Sequence, residues 1–243
     1  VKKVILGAAL CIAAAVSAGA ANADSSNFLS GSDDALILGP TGIPTPNAAY
    51  ISDAVRLYLD PNGYGGTTAT TLALTTPETT SLSSVPEGEK DLINAIVADY
   101  KSGDMHCNAS GVCSDPLTIF TYSQSSAVAS LAEPQLQADK IPTDALRFVM
   151  LGANPTGVPD NLYPTDVYNI DGDIWAQPGT AGSATLQQLL LGMEIHDAYL
   201  GLTSAEINSA THVVEGLTTV YDIPRLTTVE LWEALISASS AGT

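Results

Sequence analysis

The amino-acid sequence predicts an α/β fold, a mainly parallel central sheet with helices on both faces. Two observations predict it. Short apolar runs of strand length alternate with longer segments whose apolar residues recur at helical spacing, the pattern of a covered parallel sheet. The 243-residue chain also suits one domain with a sizeable core, and it shows no internal repeat and no linker marking a second one.

Taken in order, the chain opens with Lys2 and Lys3, a long apolar run from Val4 to Ala21, and Ala21-Asn22-Ala23. A basic start, an apolar centre and a small-x-small exit predict a cleavable signal peptide over 1–23, hence export. Alanine dominates the run, and Ser17 and Gly19 weaken it as a membrane anchor. Cys11 lacks the small residues before it that lipidation would need. Residues 24–243 are then one domain.

Ala35-Leu36-Ile37-Leu38 reads as the first buried strand, ended by Gly39-Pro40-Thr41-Gly42. From Pro46, the spacing of Tyr50, Ala54, Val55, Tyr58 and Leu59 predicts a helix, broken at Asp60-Pro61-Asn62-Gly63. A strand is expected over Thr70 to Leu74. Ser84 and Glu87 are placed as a capping box for a helix carrying Leu92, Ile96 and Tyr100 on one face. Leu117 to Phe120 is the next strand, and Ser126 to Gln137 a small-residue helix. Strands follow at Leu146 to Leu151 and Val167 to Ile170, then helices at Leu186 to Tyr199 and Thr228 to Ile236.

The chain has 26 acidic against 8 basic residues, a formal charge of −18. That excludes a nucleic-acid partner, because phosphate binding needs clustered Lys and Arg. It also disfavours docking to anionic lipid by charge, leaving contact with an envelope or membrane to an apolar patch. Cys107 and Cys113 flank a short polar loop, and in an exported protein they predict a disulfide. Zinc, with His106 adjacent, would need ligands that nothing nearby supplies.

In open α/β sheets, sites form where strands end and helices begin. The strand ending at Phe120 runs into Thr121-Tyr122-Ser123-Gln124-Ser125 and a small-residue helix. This is the layout of a nucleophile elbow, small-x-Ser-x-small on a strand–turn–helix, which lifts the serine hydroxyl above the sheet. Thr121 is larger than the usual glycine. A serine needs a base, and histidine suits that role near neutral pH. Of three histidines, His106 precedes Ser123, and His212 reads as a surface residue. His196 remains, placed late enough for the order serine, acid, histidine. Asp171, just past a strand, is the expected acid, with Asp173 as the alternative. Asn169, Asp171 and Asp173 have the spacing of a calcium loop, but Ile174 and Thr180 stand where glycine and glutamate would be needed. The oxyanion hole is expected from the backbone N–H groups of Gln124 and Thr41.

These residues resemble the PE-PPE domain of mycobacteria, a serine-hydrolase branch related to cutinases. The similar segments are Gly39 to Pro46, Thr76-Pro77-Glu78 leading into Ser84-Val85, Tyr122 to Ser125, Asp171-Gly172 with Pro178, His196 with Tyr199, and Thr218 to Tyr221 with Ile223-Pro224. The resemblance implies an α/β-hydrolase fold and esterase or acyltransferase activity on lipid-like acyl esters at the cell envelope. By motif position it implies Ser123 as nucleophile, Asp171 as acid and His196 as base. The expected function is therefore an exported serine esterase or lipase working without metal or cofactor. An acyltransferase serving a sugar or glycolipid, and an inactive envelope-binding protein, are the competing expectations.

Overall fold

A computed structural model describes residues 27–177 and 181–241. The expected leader and Pro178 lie outside the described residues. The strands are β1 (Ala35–Ile37), β2 (Thr71–Ala73), β3 (Leu117–Tyr122), β4 (Leu146–Leu151), β5 (Thr165–Ile170), β6 (Thr211–Glu215) and β7 (Thr218–Ile223). Among the described residues they form one sheet in the order β2-β1-β3-β4-β5-β7-β6, parallel throughout except for β6, which pairs antiparallel with β7. Chain order reverses between β1 and β3, the switch point at which open α/β sheets hold their sites. Ser123 follows β3 there.

The helices are α1 (Ala48–Ala54), α2 (Ser84–Ser102), α3 (Gln124–Ala138), α4 (Leu186–His196), α5 (Ser204–Asn208) and α6 (Thr228–Ala241). Strand side chains alternate between faces, and β4 shows both halves of the core. Phe148 and Met150 pack with Leu92, Ile96, Val128 and Leu136 of α2 and α3. Val149 and Leu151 pack on the other face with Tyr50, Leu57, Tyr58 and Leu231, from α1, the turns after it and α6. Phe120 and Phe148 are fully buried, and truncating either to alanine would cost about 3–5 kcal/mol. The expected α/β architecture with two covered faces is what the chain adopts.

Three details differ from expectation. The helix from Pro46 is regular only to Ala54; it widens into a π turn over Val55–Leu59 and tightens into a 3-10 turn over Asp60–Asn62. The capping box at Ser84 does not form. Ser84 lies inside α2, and its hydroxyl accepts from the Thr79 N–H and donates to Gln124 Oε1 instead. The β6–β7 hairpin has no counterpart among the predicted strands. Nearly every β6 residue is exposed, so the strand buries no face and carries no inward alternation to read.

The Cys107–Cys113 disulfide is formed, closing the loop between α2 and β3.

Candidate active site

The chain turns sharply as β3 ends. Ser123 sits at φ 60°, ψ −117°, a conformation that L-residues rarely adopt and that needs surrounding structure to hold it. Backbone ties supply that hold: the Ser123 N–H donates to the Leu151 carbonyl at 2.9 Å, and Ser126 N–H to the Ser123 carbonyl at 3.0 Å. The flanking residues fit despite the absence of glycine. The Thr121 hydroxyl turns inward against that of Ser126 at 3.1 Å. Ser125 Oγ accepts from the Tyr122 N–H at 2.9 Å and donates to the Tyr122 carbonyl at 3.0 Å.

His196 lies at the C-terminal end of α4, which Thr185 and Gln188 cap reciprocally at its start. Its imidazole reaches back to the elbow, with Nε2 2.7 Å from Ser123 Oγ. The Tyr122 hydroxyl donates to the His196 carbonyl and pins the end of the helix. On the far side of the ring, Nδ1 lies 2.7 Å from Asp173 Oδ2.

Asp171, the expected acid, does not reach the imidazole. Its N–H continues the ladder of β5 with β7 by donating to Ile223 O. Its side chain is 60% exposed, with Arg225 Nε 3.7 Å away. Gly172, at φ 96°, then reverses the chain in a left-handed turn that suits glycine. The reversal carries Asp173 inward, where it is fully buried. Its Oδ1 accepts from the N–H groups of Trp175 and Ala176, and its Oδ2 also accepts from the Tyr199 hydroxyl at 2.8 Å. A buried carboxylate is tolerable only with its acceptor sites filled, and these bonds fill them.

Sequence reasoning passed over two residues. Gly152, after β4, has φ 59°, and a Cβ there would stand 2.8 Å from His196 Cε1 and 3.3 Å from Asp173 Oδ2. A glycine closing an apolar strand was the available signal. The other is Glu78, quoted only within a family-like segment. It is buried with φ 41°, Oε1 accepts from Thr76 Oγ1 at 2.9 Å, and Oε2 has no hydrogen-bond partner. Burial pushes its carboxyl up to about 7, against the opposing effect of the Thr76 bond.

The two expected oxyanion donors lie on neighbouring elements. Gln124 begins α3, whose first N–H groups have no acceptor within the helix. Thr41 is exposed in the loop after β1, which runs beside β3 because Leu38 N–H bonds the Phe120 carbonyl. A Cβ on Gly39 would fall 2.2 Å from the Ile43 carbonyl, so this tight loop requires glycine there.

Fold and site define the class of protein: an α/β chain with serine, imidazole and carboxylate hydrogen-bonded in line at a strand-to-helix elbow. The PE-PPE domain model matches residues 61–162, a span that contains Ser123 and ends before Asp173 and His196. Over 85% of its length the chain is 28% identical to the uncharacterized PPE family protein PPE28 of Mycobacterium tuberculosis, and the match spans 36% of that protein. The likeness to PE-PPE domains read from the motifs is thus met by both the family model and a mycobacterial relative. A solved structure, a novel cutinase-like protein from Cryptococcus sp., matches over 56% of this chain and 58% of its own, with 17% identity and a TM-score of 0.37.

Proposed function

We propose that the protein is an exported serine esterase or lipase acting on acyl esters. Ser123 Oγ attacks the acyl carbon while His196 Nε2 takes its proton. The tetrahedral oxyanion is held by the Gln124 and Thr41 N–H groups, and it collapses as His196 returns the proton to the departing alcohol. Water then hydrolyses the Ser123 ester by the same steps, with His196 again as base, releasing the acid. Asp173 fixes the imidazole so that Nδ1 keeps its hydrogen, and it steadies the positive charge that develops. The observation that carries this reading is the pair of 2.7 Å contacts from His196 to Ser123 and Asp173.

Export agrees with the disulfide, which persists in oxidising compartments. The PE-PPE match agrees with a lipid-like acyl substrate. The test is hydrolysis of p-nitrophenyl esters of short and long chain by wild type and Ser123→Ala, with fluorophosphonate labelling alongside. Turnover and labelling that both vanish in the variant are expected. A wild type that neither turns over nor labels refutes the reading.

A further inference from the structure

Segment 76–79 joins the two sides of the proposed oxyanion hole. On one side, the Glu78 carbonyl accepts the Gly42 N–H at 2.7 Å, and the Thr76 N–H donates to Pro44 O at 3.0 Å. Both bonds hold the loop that carries Thr41. On the other side, Gln124 Nε2 donates to Thr79 O at 2.9 Å, and Ser84 Oγ bonds both Thr79 N–H and Gln124 Oε1. Those bonds hold the residue that carries the second donor. Glu78 stands between the two sets with a left-handed backbone, and its side chain points inward with Oε2 unpartnered.

A glutamate at positive φ, buried without a cation, is costly on two counts. A structural plug would be better served by glycine or an apolar residue. We infer that Glu78 is a positioning residue, setting the separation of the Thr41 and Gln124 N–H groups through the segment it anchors. The catalytic use of that separation rests on the hydrolase reading; the anchoring does not.

The side chain fits this site in its neutral form. Among the described residues its surroundings offer no counter-charge. The loop over 39–42 and Thr76 carry no ionisable side chain, and α2 and α3 approach the segment with Gly88, Ser84 and Gln124. From α1, Tyr50 is electrically coupled to Glu78 and donates to Leu38 O. Burial holds that phenol well above its usual range, so it stays neutral. When Glu78 ionises, the charge must move toward water, and segment 76–79 moves with it, loosening Gly42 and Thr41. The neutral form prevails below about pH 7, so the positioning is lost on the alkaline side.

The experiment follows the backbone amides of Thr41 and Gly42 by NMR, shift and exchange protection, from pH 5.5 to 8.5 without substrate. In wild type, both amides titrate together near pH 7 and protection at Gly42 falls about ten-fold or more. In Glu78→Gln, neutral at every pH, they stay flat. Steady-state ester hydrolysis over the same range should show kcat falling on the alkaline side in wild type and not in Glu78→Gln, with KM unmoved. Glu78→Ala should lower kcat about ten-fold below pH 7, where wild type holds the donors in place, and by less above it. Wild-type amides that stay flat while the fold is intact would overturn the inference, as would a glutamine variant that titrates like wild type. A protein inert to every ester whose Gly42 amide still titrates sinks the hydrolase reading and upholds the anchoring.

Discussion

Gly152 and His196 are matched so closely that the imidazole occupies the space where any other residue would carry its Cβ. The elbow, the acid and the base come from three separate parts of the chain. The backbone after β4 passes beside the last two with no room to spare.

Gly152→Ala should therefore push the imidazole off its line between Ser123 and Asp173. Small misplacements of a catalytic group can cost about 10²-fold in rate. The positive φ adds backbone strain at the same site. The expectation is a kcat lower by about ten-fold or more with little change in KM, read from ester hydrolysis on a protein whose circular dichroism matches wild type.

The two aspartates should separate cleanly in function. Asp173→Asn takes away the charge facing Nδ1 and favours the wrong tautomer, a change that costs about 10⁴-fold in a comparable triad. Asp171→Asn alters only an exposed carboxylate 3.7 Å from Arg225, and such pairs contribute about 0–1 kcal/mol. Comparing kcat/KM for the two variants decides the acid. Equal losses would return the role to a shared site.

Tyr199 supports the acid from below. Its hydroxyl donates to Asp173 Oδ2 and accepts from the Ile170 N–H at 3.0 Å. Tyr199→Phe leaves that buried N–H without its acceptor, a loss of about 1–3 kcal/mol. Chemical denaturation should show the loss, and kcat should fall several-fold as Asp173 gains freedom.

The dependence of stability on pH should be unusual for so acidic a chain. Burial raises Glu133 to about 9, Asp166 to about 8 and Glu78 to about 7. Between the ordinary carboxylate range and those values, the folded state holds protons that the unfolded chain releases. Unfolding free energy then falls as pH rises. The melting temperature should be higher at pH 5 than at pH 8. Glu133, fully buried with both oxygens unpartnered, is the sharpest case. Glu133→Gln should gain roughly 1–3 kcal/mol at pH 8 and flatten the slope.

Elements whose residues face the core were readable from the sequence. β3 and β5 are buried along their whole length and β4 at every residue but Arg147, so their apolar runs declare them, and the strand–turn–helix at Ser123 follows from where β3 stops. β6 was invisible because it pairs at the sheet edge with both its faces largely exposed. The carboxylate that meets the imidazole is Asp173, the alternative and not the first choice, because counting outward from β5 finds Asp171 first. Only the left-handed turn at Gly172 shows that the chain doubles back before the carboxylate points inward. Glu78 stayed hidden for a similar reason. What marks it is a buried carboxyl with an unpartnered oxygen, a carbonyl bonded to Gly42 and a positive φ, and sequence patterns report none of these.

The linear separation of the working groups has a consequence for the newly made chain. Ser123 gains its partner only when a segment 73 residues further along docks. Until then the hydroxyl has no base beside it. On the hydrolase reading, reactivity arrives only with assembly of the whole fold, and a half-folded copy is inert.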